Sequence, residues 1–496
     1  MVNIKGLVPS ALEQFIINNQ DIYGDIFLVG GAIRNTYLGR KVEDLDFITT
    51  HHSIIITKEI ADHFHGNYYI MDEKRGTARA LICIDDKNLK VDIALIAADT
   101  LNTDLSLRDF TMNAIALQLP NSGKIIDPLN GASDILNRSL KPCSSSSFEI
   151  DPVRVIRAVR FINEFDLSFN PIFTDWVRTA SKNLHQISGE RKRDEIVKIL
   201  EKTDCKQALL ILLDFGILEN LFPEIYGLES LELDIPHVHN AWEHTCQVVA
   251  YCQQLIDLFS GSEEQKKINP KIVQAFGKLK KYSDNIFIEL EFSIVSGRSK
   301  KSLLLLAAIF HDVGKGSENP IGKDGKKCFP NHAKVGAKIV GDRAKEMGYS
   351  NHEIEFLSKV VRYHMKLSNG GFLDKTEKDV QIYRLFKKTG VAGVFIGLLY
   401  LADLLATFEE TIIEEFWEQA IKTVYNLFDA YFYQFNKIIA PPKMINGYDL
   451  INEFDLIPGK KFTKILNQVT EEQVRGKITS KAEAKKFVQE LLSEYR

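Results

Sequence analysis

The chain has 496 residues, of which 45% are hydrophobic and 26% are charged, and its formal net charge is -4. This composition is typical of a globular protein with about three domains. The slightly acidic balance argues against a uniformly basic nucleic-acid-binding protein, so any RNA site must be a local patch. The six cysteines are scattered without a C-x-x-C pair, which is typical of reduced thiols in the cytosol.

The sequence predicts no membrane segment. Met1–Leu7 lacks the basic and then apolar pattern of a signal peptide. The longest uncharged stretch, Thr389–Ala402, is shorter than the roughly 20 residues that a membrane helix needs, and Asp403 ends it. We therefore predict a buried helix there, a cytoplasmic location and no membrane contact.

The first stretch whose residues indicate a chemical function begins with the apolar run Ile26–Val29, which is followed by Gly30 and Gly31. A glycine pair lets backbone N–H groups and the start of a following helix face an anion. The next apolar run carries Asp44 and Asp46, which would lie on one face of a strand because side chains at i and i+2 point the same way. Two such carboxylates repel each other unless a cation lies between them, and their oxygens suit Mg²⁺ together with substrate phosphates.

Each half of this pattern also has a plain structural interpretation, a turn for the glycines and a solvated strand for the aspartates. A glycine pair followed by two aspartates, in this order, favours nucleotidyl-transfer chemistry. No G-x-x-x-x-G-K-[ST] motif occurs, which argues against a Walker-type NTPase.

Three further residues follow in the same predicted domain. Asp92 stands among apolar residues on a predicted strand, where a carboxylate costs free energy unless it is paired or bound to metal; a strand-edge aspartate is the alternative. Arg108 can pair with a phosphate, and Asp109 can cap a helix or orient that arginine. The run Ser144–Ser147 is interpreted as a short linker.

A helical pattern begins at Asp151, with Pro152 in its predicted first turn. Arg154 and Arg157 share a helix face at i and i+3. Together with Asp151 they could present one carboxylate and two forked donors to the edge of a base. A solvated helix face is the competing interpretation.

A second constellation lies farther along the chain. The apolar run Leu303–Phe310 ends in His311 and Asp312, and Lys315 follows, placed to reach a phosphate. A lone histidine in a core is usually structural, but an adjacent His–Asp pair at the end of a buried helix can ligate a divalent ion. Further histidines and an aspartate on other predicted helices could complete the shell: His244, His332, His364 and Asp403.

Taken together, these motifs resemble those of the bacterial-type (class II) tRNA nucleotidyltransferases and the related bacterial poly(A) polymerases, in the version that carries an HD domain. The segments that carry the resemblance are Gly30–Arg34, Asp44–Asp46, Arg108–Ala114, Asp151–Arg154 with Arg157, Glu190–Arg191, and the series His244, His311, Asp312 and Asp403.

The resemblance implies an α+β fold. A polymerase-β-like nucleotidyltransferase head of mixed sheet and helices would cover residues 1–140, followed by an all-α neck and body over 141–232. An HD domain resembling metal-dependent phosphohydrolases would cover 233–425, and a helical tail with a possible tRNA contact would cover 426–496.

The resemblance also implies an activity, namely template-independent addition of CCA, or only the terminal A, to tRNA 3′ ends from CTP and ATP by two-metal catalysis. Asp44 and Asp46 would hold Mg²⁺, with Asp92 as a third catalytic carboxylate. The residues expected to bind the nucleotide are Gly30, Gly31, Arg34, Arg108, Asp109, Asn113, Asp151, Arg154 and Arg157.

In the HD domain the resemblance implies phosphoester hydrolysis at an unidentified divalent transition metal, with a structural metal or an inert domain as the alternative. The expected ligands are His244, His311, Asp312 and Asp403, with His332 and His364 as further candidates, and Lys315 would contact phosphate. The expected partners of the whole chain are tRNA, ATP and CTP, with no membrane and no obligate protein partner.

Two positions depart from the family pattern and bear on nucleotide selectivity: Asn35, where the family usually has Asp, and Ile150, where it usually has Glu. The basic turn Lys74–Arg79 resembles a loop of HD-bearing members, some of which add only the terminal A. Two alternative functions remain open, a poly(A) polymerase and an HD phosphohydrolase whose head only binds RNA. The intact pair Asp44 and Asp46 argues against the latter.

Overall fold

The structure is a computed structural model that describes residues 6–42, 44–119, 124–261, 267–317, 321–323, 326–367 and 377–494. It divides into two compact units. Unit 1 comprises Met1–Arg191 and Ile211–Asn220, and unit 2 comprises Lys192–Leu210 and Leu221–Arg496. No boundary of this division falls near residue 140, 232 or 425, so the four predicted domains stay predictions.

Unit 1 contains a seven-stranded sheet in the order β3-β4-β5-β2-β1-β6-β7. Strands β2 and β5 are parallel, and the other neighbouring pairs are antiparallel. The mixed sheet predicted for the head is thereby confirmed. The strands are β1 (Ile26–Val29), β2 (Asp44–Thr49), β3 (Asn67–Asp72), β4 (Thr77–Ile84), β5 (Lys87–Leu95), β6 (Ala116–Leu119) and β7 (Ile125–Ile126).

Nine helices belong wholly to the described part of unit 1, and three more cross the division between the units. The nine are α1 (Ser10–Asn18), α2 (Gln20–Tyr23), α3 (Gly31–Tyr37), α4 (Ser53–His63), α5 (Leu101–Ser106), α6 (Gly131–Leu136), α7 (Ser147–Ile150), α8 (Arg154–Phe165) and α9 (Pro171–Ser181). The three are α10 (Gly189–Lys202), α11 (Cys205–Asp214) and α12 (Leu218–Leu221).

The pattern of strand β2 explains how the sheet buries one set of side chains and presents another. Leu45 and Phe47 are each 1% exposed, and they alternate with Asp44 and Asp46, as predicted. Farther along the aspartate face, Ile48 packs in a cluster with residues of β1, α5 and β6. The two carboxylates therefore lie where this face leaves the core.

The predicted linker Ser144–Ser147 is wrong. Ser147 is fully buried, begins α7, and donates from Oγ to the carbonyl of Asp109 at 2.9 Å. The backbone N–H of Cys143 also donates to that carbonyl. This serine-rich run, whose composition is typical of a linker, is here a turn that ends in a packed residue, because the hydroxyl of Ser147 satisfies a buried backbone carbonyl.

Unit 2 is mostly helical. Its further helices are α13 (Pro223–Tyr226), α14 (Ala241–Phe259), α15 (Pro270–Leu279), α16 (Ser283–Glu291), α17 (Lys300–Phe310), α18 (His332–Glu346), α19 (Asn351–Tyr363), α20 (Lys378–Thr389), α21 (Ala392–Phe408), α22 (Glu414–Phe432), α23 (Gly447–Phe454), α24 (Lys460–Val474) and α25 (Lys481–Glu494). Its short strands are β8 (Ser293–Val295), β9 (Arg298–Ser299), β10 (Ile321–Lys323) and β11 (Lys326–Cys328).

Shorter helical turns complete the two units. The 3₁₀ turns are Thr111–Asn113, Lys182–Gln186, Lys280–Tyr282, Val313–Ser317, His364–Lys366 and Glu409–Thr411, and Phe435–Ile439 is a π-helical turn.

The core of unit 2 is built on α14, α17 and α21, which pack against one another. Every residue of α17 from Leu303 to Phe310 is buried, and α21 is buried along almost its whole length. Helices buried on all sides lose the usual amphipathic pattern. The last three helices, α23 to α25, enclose a separate small cluster around Leu450, Ile465 and Val488.

One helical segment, Ala392–Thr411, is long and apolar enough to cross a membrane by length and composition, but 78% of its apolar window is buried inside the structure. The buried helix predicted for Thr389–Ala402 is confirmed, with α21 beginning at Ala392.

Gly314 provides a test of the packing in unit 2. It lies in the 3₁₀ turn after α17, and a Cβ at this position would lie 2.1 Å from the carbonyl oxygen of His332 and 2.8 Å from the nitrogen of Gly336. These atoms belong to the backbone of α18 and cannot move as a side chain can. We expect Gly314→Ala to destabilise unit 2 by about 1–3 kcal/mol, measured by calorimetric unfolding.

Gly277→Ala is the matched control, because a Cβ at Gly277 of α15 meets nothing within 4 Å. It should stabilise the helix by roughly 0.5–1 kcal/mol. A Gly314→Ala protein that unfolds like the wild type would contradict the close approach of this turn to α18.

Candidate active site and candidate metal centre

Three carboxylates form a row on the sheet of unit 1. Asp44 and Asp46 lie on β2, and Asp92 lies on the parallel neighbour β5, paired in register with Asp46. Residues paired across neighbouring strands point to the same face. The Asp44 side chain is 56% exposed, and Lys90 Nζ lies 3.5 Å from its Oδ1. The structure thus brings together the three residues predicted to be catalytic.

The crowding of negative charge in this row is seen in the pKa of Asp46. Burial, together with the neighbouring charges of Asp92 and Asp44, raises its pKa to about 6, although the guanidinium groups of Arg108 and Arg79 oppose the shift. A buried carboxylate between two others is the environment that a divalent cation stabilises.

Arg79 pairs with the outer carboxylate of the row. From β4, its Nε and Nη2 each donate to a different oxygen of Asp92 at 2.6 Å. The phenol of Tyr69, on β3, lies 3.4 Å from Arg79 Nη1. The register places Tyr69, Arg79, Asp92 and Asp46 side by side across four strands. The sequence marks Arg79 only as part of a basic turn, because its pairing depends on strand register.

Gly30 and Arg108 lie beside the carboxylates. Gly30 has φ of +73°, a region that favours glycine, and a Cβ there would lie 3.7 Å both from Arg108 Nη1 and from Asp46 Oδ2. Gly31 begins α3. Arg108 is oriented by Asp104, whose Oδ2 lies 3.3 Å from Arg108 Nη2. Of the two roles considered for Asp109, orienting Arg108 is taken instead by Asp104, four residues before Arg108 on α5, which the sequence analysis missed.

Asp109 instead connects the head to α8. Its Oδ2 lies 2.7 Å from Arg157 Nη2, and its Oδ1 accepts from the amide of Asn113 at 3.0 Å and from the backbone N–H of Phe110 at 2.8 Å. Although burial raises the pKa of Asp109, Arg157 and these hydrogen bonds lower it to about 2. Asn113 Oδ1 in turn accepts from Arg34 Nη1 at 2.7 Å.

Arg34 is fixed by packing as well as by hydrogen bonds. Its guanidinium lies over the rings of Phe161 and Phe165, at 5.2 and 4.7 Å from their centroids, and it also donates to Asn35. Burial lowers its pKa to about 10. Asn35, one of the two departures from the family pattern, is therefore a direct partner of Arg34.

Asp151, Arg154 and Arg157, which were predicted to read the base together, each bind a different partner in the structure. Helix α8 begins at Arg154 after Val153, so Asp151 is not its cap. Arg154 donates to the carbonyls of Leu107 and Arg108 at 2.8 and 3.0 Å.

Arg157 pairs with Asp109, and the partner of Asp151 is Arg191, whose Nη2 lies 2.7 Å from Asp151 Oδ2. Asp151 Oδ1 is buried without a hydrogen bond among the described residues.

In unit 2, side chains from several segments converge on Asp312, which is 2% exposed. The first group consists of His244 on α14, His311 at the end of α17, and Asp403 on α21. Asp312 Oδ2 lies 3.4 Å from His311 Nε2 and 3.8 Å from His244 Nε2, and His244 Nε2 lies 3.1 Å from Asp403 Oδ1. The Nε2 atoms of both histidines make no hydrogen bond in the described structure.

His332 and His364 approach Asp312 from its other side. Their Nε2 atoms lie 3.3 and 3.7 Å from Asp312 Oδ1. Lys315 Nζ lies 2.6 Å from Asp312 Oδ2. Although burial raises the pKa of Asp312, Lys315 and His311 hold it well below its usual value. The structure thus gathers all the residues predicted for this site.

Two sets of these residues have the geometry of a metal site: His244, His311 and Asp312, and Asp312, His332 and His364. Imidazole and carboxylate groups together suit divalent transition metals. A cavity of about 860 Å³ opens on Asp312 and Asp403. Its basic lining residues are Lys315, Lys327, Lys334, Arg362, Lys366 and Lys388.

Comparison with known proteins finds three family models that each match a part of the chain. Residues 26–141 match the poly A polymerase head domain, residues 170–228 match the probable RNA and SrmB-binding site of polymerase A, and residues 242–403 match the HD domain.

Some curated relatives match only part of this chain, and others match nearly its whole length. A CC-adding tRNA nucleotidyltransferase of Geobacter sulfurreducens is 32% identical over 42% of this chain and 47% of its own length. A CC-adding enzyme of Synechocystis is 25% identical over 94% and 93%, and an A-adding enzyme of Deinococcus radiodurans is 24% identical over 93% and 94%. Among solved structures, a CCA-adding enzyme in complex with ATP aligns over 100% of this chain and 99% of that chain, with a TM-score of 0.60 and 18% identity.

The fold and the three matched domains define a nucleotidyltransferase head joined to an HD domain. The chain combines a poly A polymerase head domain, a probable RNA and SrmB-binding region and an HD domain, and over more than nine-tenths of its length it is similar to tRNA nucleotidyltransferases named as CC-adding and A-adding. The roles predicted for individual residues stay predictions.

The raised pKa of Asp46 gives a pH test. In metal-free protein the folded chain keeps Asp46 protonated up to about pH 6, whereas the unfolded chain loses that proton near pH 4. The contribution of this group to stability therefore falls as pH rises from about 4 to about 6. We expect Asp46→Asn to raise the free energy of unfolding by roughly 2 kcal/mol at pH 7.5 in EDTA, and by much less at pH 4.

Urea unfolding of unit 1 at both pH values measures this effect, with Asp62→Asn on the exposed face of α4 as the control. Magnesium should stabilise the wild type at pH 7.5 and stabilise Asp46→Asn less. An Asp46→Asn protein less stable than the wild type at pH 7.5 in EDTA would show that the carboxylate is not under electrostatic strain.

Proposed function

We propose that the protein is a template-independent RNA nucleotidyltransferase that adds CCA, or only the terminal A, to tRNA 3′ ends from CTP and ATP. The row Asp44, Asp46 and Asp92 carries this proposal, because three convergent carboxylates beside a glycine turn and an arginine fit a metal-bound triphosphate. The names of the full-length relatives supply tRNA as the RNA and CC or A as the addition.

Asp44 and Asp46 would hold Mg²⁺, which when bound supplies charge neutralisation to the triphosphate and to the leaving pyrophosphate. Arg108, beside Gly30 and oriented by Asp104, is placed to pair with the phosphates. The 3′-oxygen of the RNA would attack the α-phosphorus, and the bond to pyrophosphate would break. Asp92 would contribute its carboxylate when Arg79 shares or releases it.

Base selection is assigned to Asp151 together with the arginines around it. Its Oδ1 makes no hydrogen bond to the residues that the structure describes, and Arg191 fixes the other oxygen. A carboxylate held in this way can accept from the exocyclic amine of cytosine or adenine, which uracil lacks. Arg154 and Arg157 would support this site by bonding to the Leu107–Asp109 segment.

The HD domain is proposed to hydrolyse phosphoesters, such as a cyclic phosphate or a damaged RNA end, at a divalent transition metal. His244, His311, Asp312 and Asp403 would hold the ion, and Lys315 would contact the phosphate. The basic lining of the neighbouring cavity suits an anionic substrate. A cytoplasmic location is part of the proposal and agrees with six free cysteines.

Product length distinguishes the forms of this activity. Wild-type protein should be offered tRNA ending before CCA, tRNA ending in CC, and an unrelated RNA, each with CTP and ATP separately. Addition confined to the tRNAs supports the proposal, long A tails on all three RNAs indicate a poly(A) polymerase, and no addition overturns the head activity. Asp44→Ala should remove addition and keep phosphatase activity, because the two sites use different residues.

Asp151→Ala should impair the choice of base more than the rate. We expect the preference for CTP or ATP over UTP to fall by about 5- to 100-fold, since one base contact contributes about 1–3 kcal/mol of discrimination. Competition between labelled nucleotides on one tRNA measures the ratio. Asp175→Ala, at an exposed position of α9, is the control and should keep the wild-type ratio. An unchanged ratio in Asp151→Ala would exclude Asp151 from base reading.

A further inference from the structure

The face of the sheet that carries the three carboxylates is exposed over its outer strands, β3 and β4. Helix α4 packs against β3, β4 and β5, and on one face of β4 the alternate residues Ala78, Ala80 and Ile82 are buried. Leu81 points to the other face of β4 and is 40% exposed, and Tyr69 of β3 is 45% exposed. An open sheet face with exposed aromatic side chains is a surface on which proteins stack the bases of unpaired RNA.

The strand register connects this open face with the carboxylates. Two adjacent rows of side chains cross four strands: Asp44, Lys90, Leu81 and Asn67, and Asp46, Asp92, Arg79 and Tyr69. Diagonal neighbours on one sheet face are within reach of an aromatic ring, so Tyr69 and Leu81 form one surface. This surface therefore begins two strands away from the carboxylates of β2.

A cavity of about 730 Å³ lies along the first row and opens on Asp44 and Leu81. Its polar lining residues other than Asp44 and Cys83 are Lys41, His65, Asn67, Lys87, Asn88 and Lys90. In the described structure Asp44 is the only acid that lines it. Lys90 is 55% exposed, and its Nζ lies 3.5 Å from Asp44 Oδ1, so this lysine can turn towards a phosphate in the cavity. Three lysines around one carboxylate suit a phosphate close to Asp44.

The geometry of phosphoryl transfer decides which reactant this cavity receives. The attacking and leaving oxygens lie roughly in line, on opposite sides of the phosphorus. Gly30 and Arg108, which are proposed to hold the triphosphate, lie beside Asp46 on the side of β1. Since pyrophosphate would leave on that side, the attacking 3′-oxygen has to enter from the side of β5, where the open face lies.

We propose that the open face of β3, β4 and β5 binds the unpaired 3′-terminal nucleotide of the RNA. Tyr69 and Leu81 form the surface on which its base stacks, and Lys90 binds its phosphodiester. This inference rests on the proposed nucleotide addition and assigns the binding site of its second reactant. Because stacking accepts every base, the site selects an unpaired end rather than a sequence.

Addition kinetics on tRNA ending before CCA test the stacking surface. Tyr69→Ala should raise the KM for tRNA by about 5- to 100-fold, the usual effect of losing one base–aromatic stack, and leave the KM for the nucleotide unchanged. Tyr69→Phe keeps the ring and should restore the wild-type KM. Tyr68→Ala is the matched control, because Tyr68 is the neighbouring residue of β3 and points to the other face. Lys90→Gln should raise the KM for tRNA and make it less dependent on salt.

Cross-linking locates the RNA end without any nucleotide addition. A tRNA that ends before CCA in 4-thiouridine is irradiated with the wild-type protein in the absence of CTP and ATP, and the linked peptide is identified by mass spectrometry. We expect linkage to β3 or β4, with a lower yield in Tyr69→Ala.

The outcomes separate this site from the proposed function. Linkage to other segments, or an unchanged KM for tRNA in Tyr69→Ala, would overturn the site while addition by the wild type still supported the proposed function. Linkage to β3 or β4 by a wild-type protein that adds no nucleotide would support the site and overturn the proposed function.

Discussion

The parallel pairing of β2 with β5 determines most of what the head can do. It sets Asp46 directly beside Asp92, in a sheet whose other neighbouring described strands are antiparallel. A shift of one residue in either strand would turn that strand's carboxylate into the core, since side chains alternate between faces. Leu45 and Phe47 oppose such a shift, because both are buried and would become exposed.

A second set of contacts connects the sheet of unit 1 with helices α3 and α8. Asp109 bonds to Arg157 of α8 and to Asn113, and Asn113 bonds to Arg34 of α3. Arg34 in turn packs on two aromatic rings of α8. Residues predicted to touch the nucleotide therefore also join the elements of unit 1 to one another. Buried polar networks of this kind specify one arrangement when every member is satisfied.

Much of the architecture could be predicted from local patterns. The i, i+2 aspartates, the alternation with Leu45 and Phe47, and the apolar helix before His311 and Asp312 all depend on short-range periodicity, and the structure has them as expected. The mixed sheet and the helical second unit agree with the family resemblance.

The partners of the polar residues could not be predicted in this way. Arg79 with Asp92, Asp104 with Arg108, and Arg191 with Asp151 are pairings set by strand register or by how a helix packs. Spacing allowed Asp109 to orient Arg108 and grouped Arg157 with Asp151, whereas the structure pairs Asp109 with Arg157 and Asp151 with Arg191. The run Ser144–Ser147 misled for a related reason, because composition does not reveal whether a hydroxyl meets a buried carbonyl.

The two hydrogen bonds from Arg79 to Asp92 have a consequence for the folding of the protein before a substrate binds. A newly made head must fold with three acidic groups in a row before any divalent cation is bound. The guanidinium supplies a built-in counter-charge at the outer end of that row. Part of the neutralisation of the acidic row is therefore supplied by the chain itself, which reduces but does not remove the stabilisation that a bound divalent cation would add.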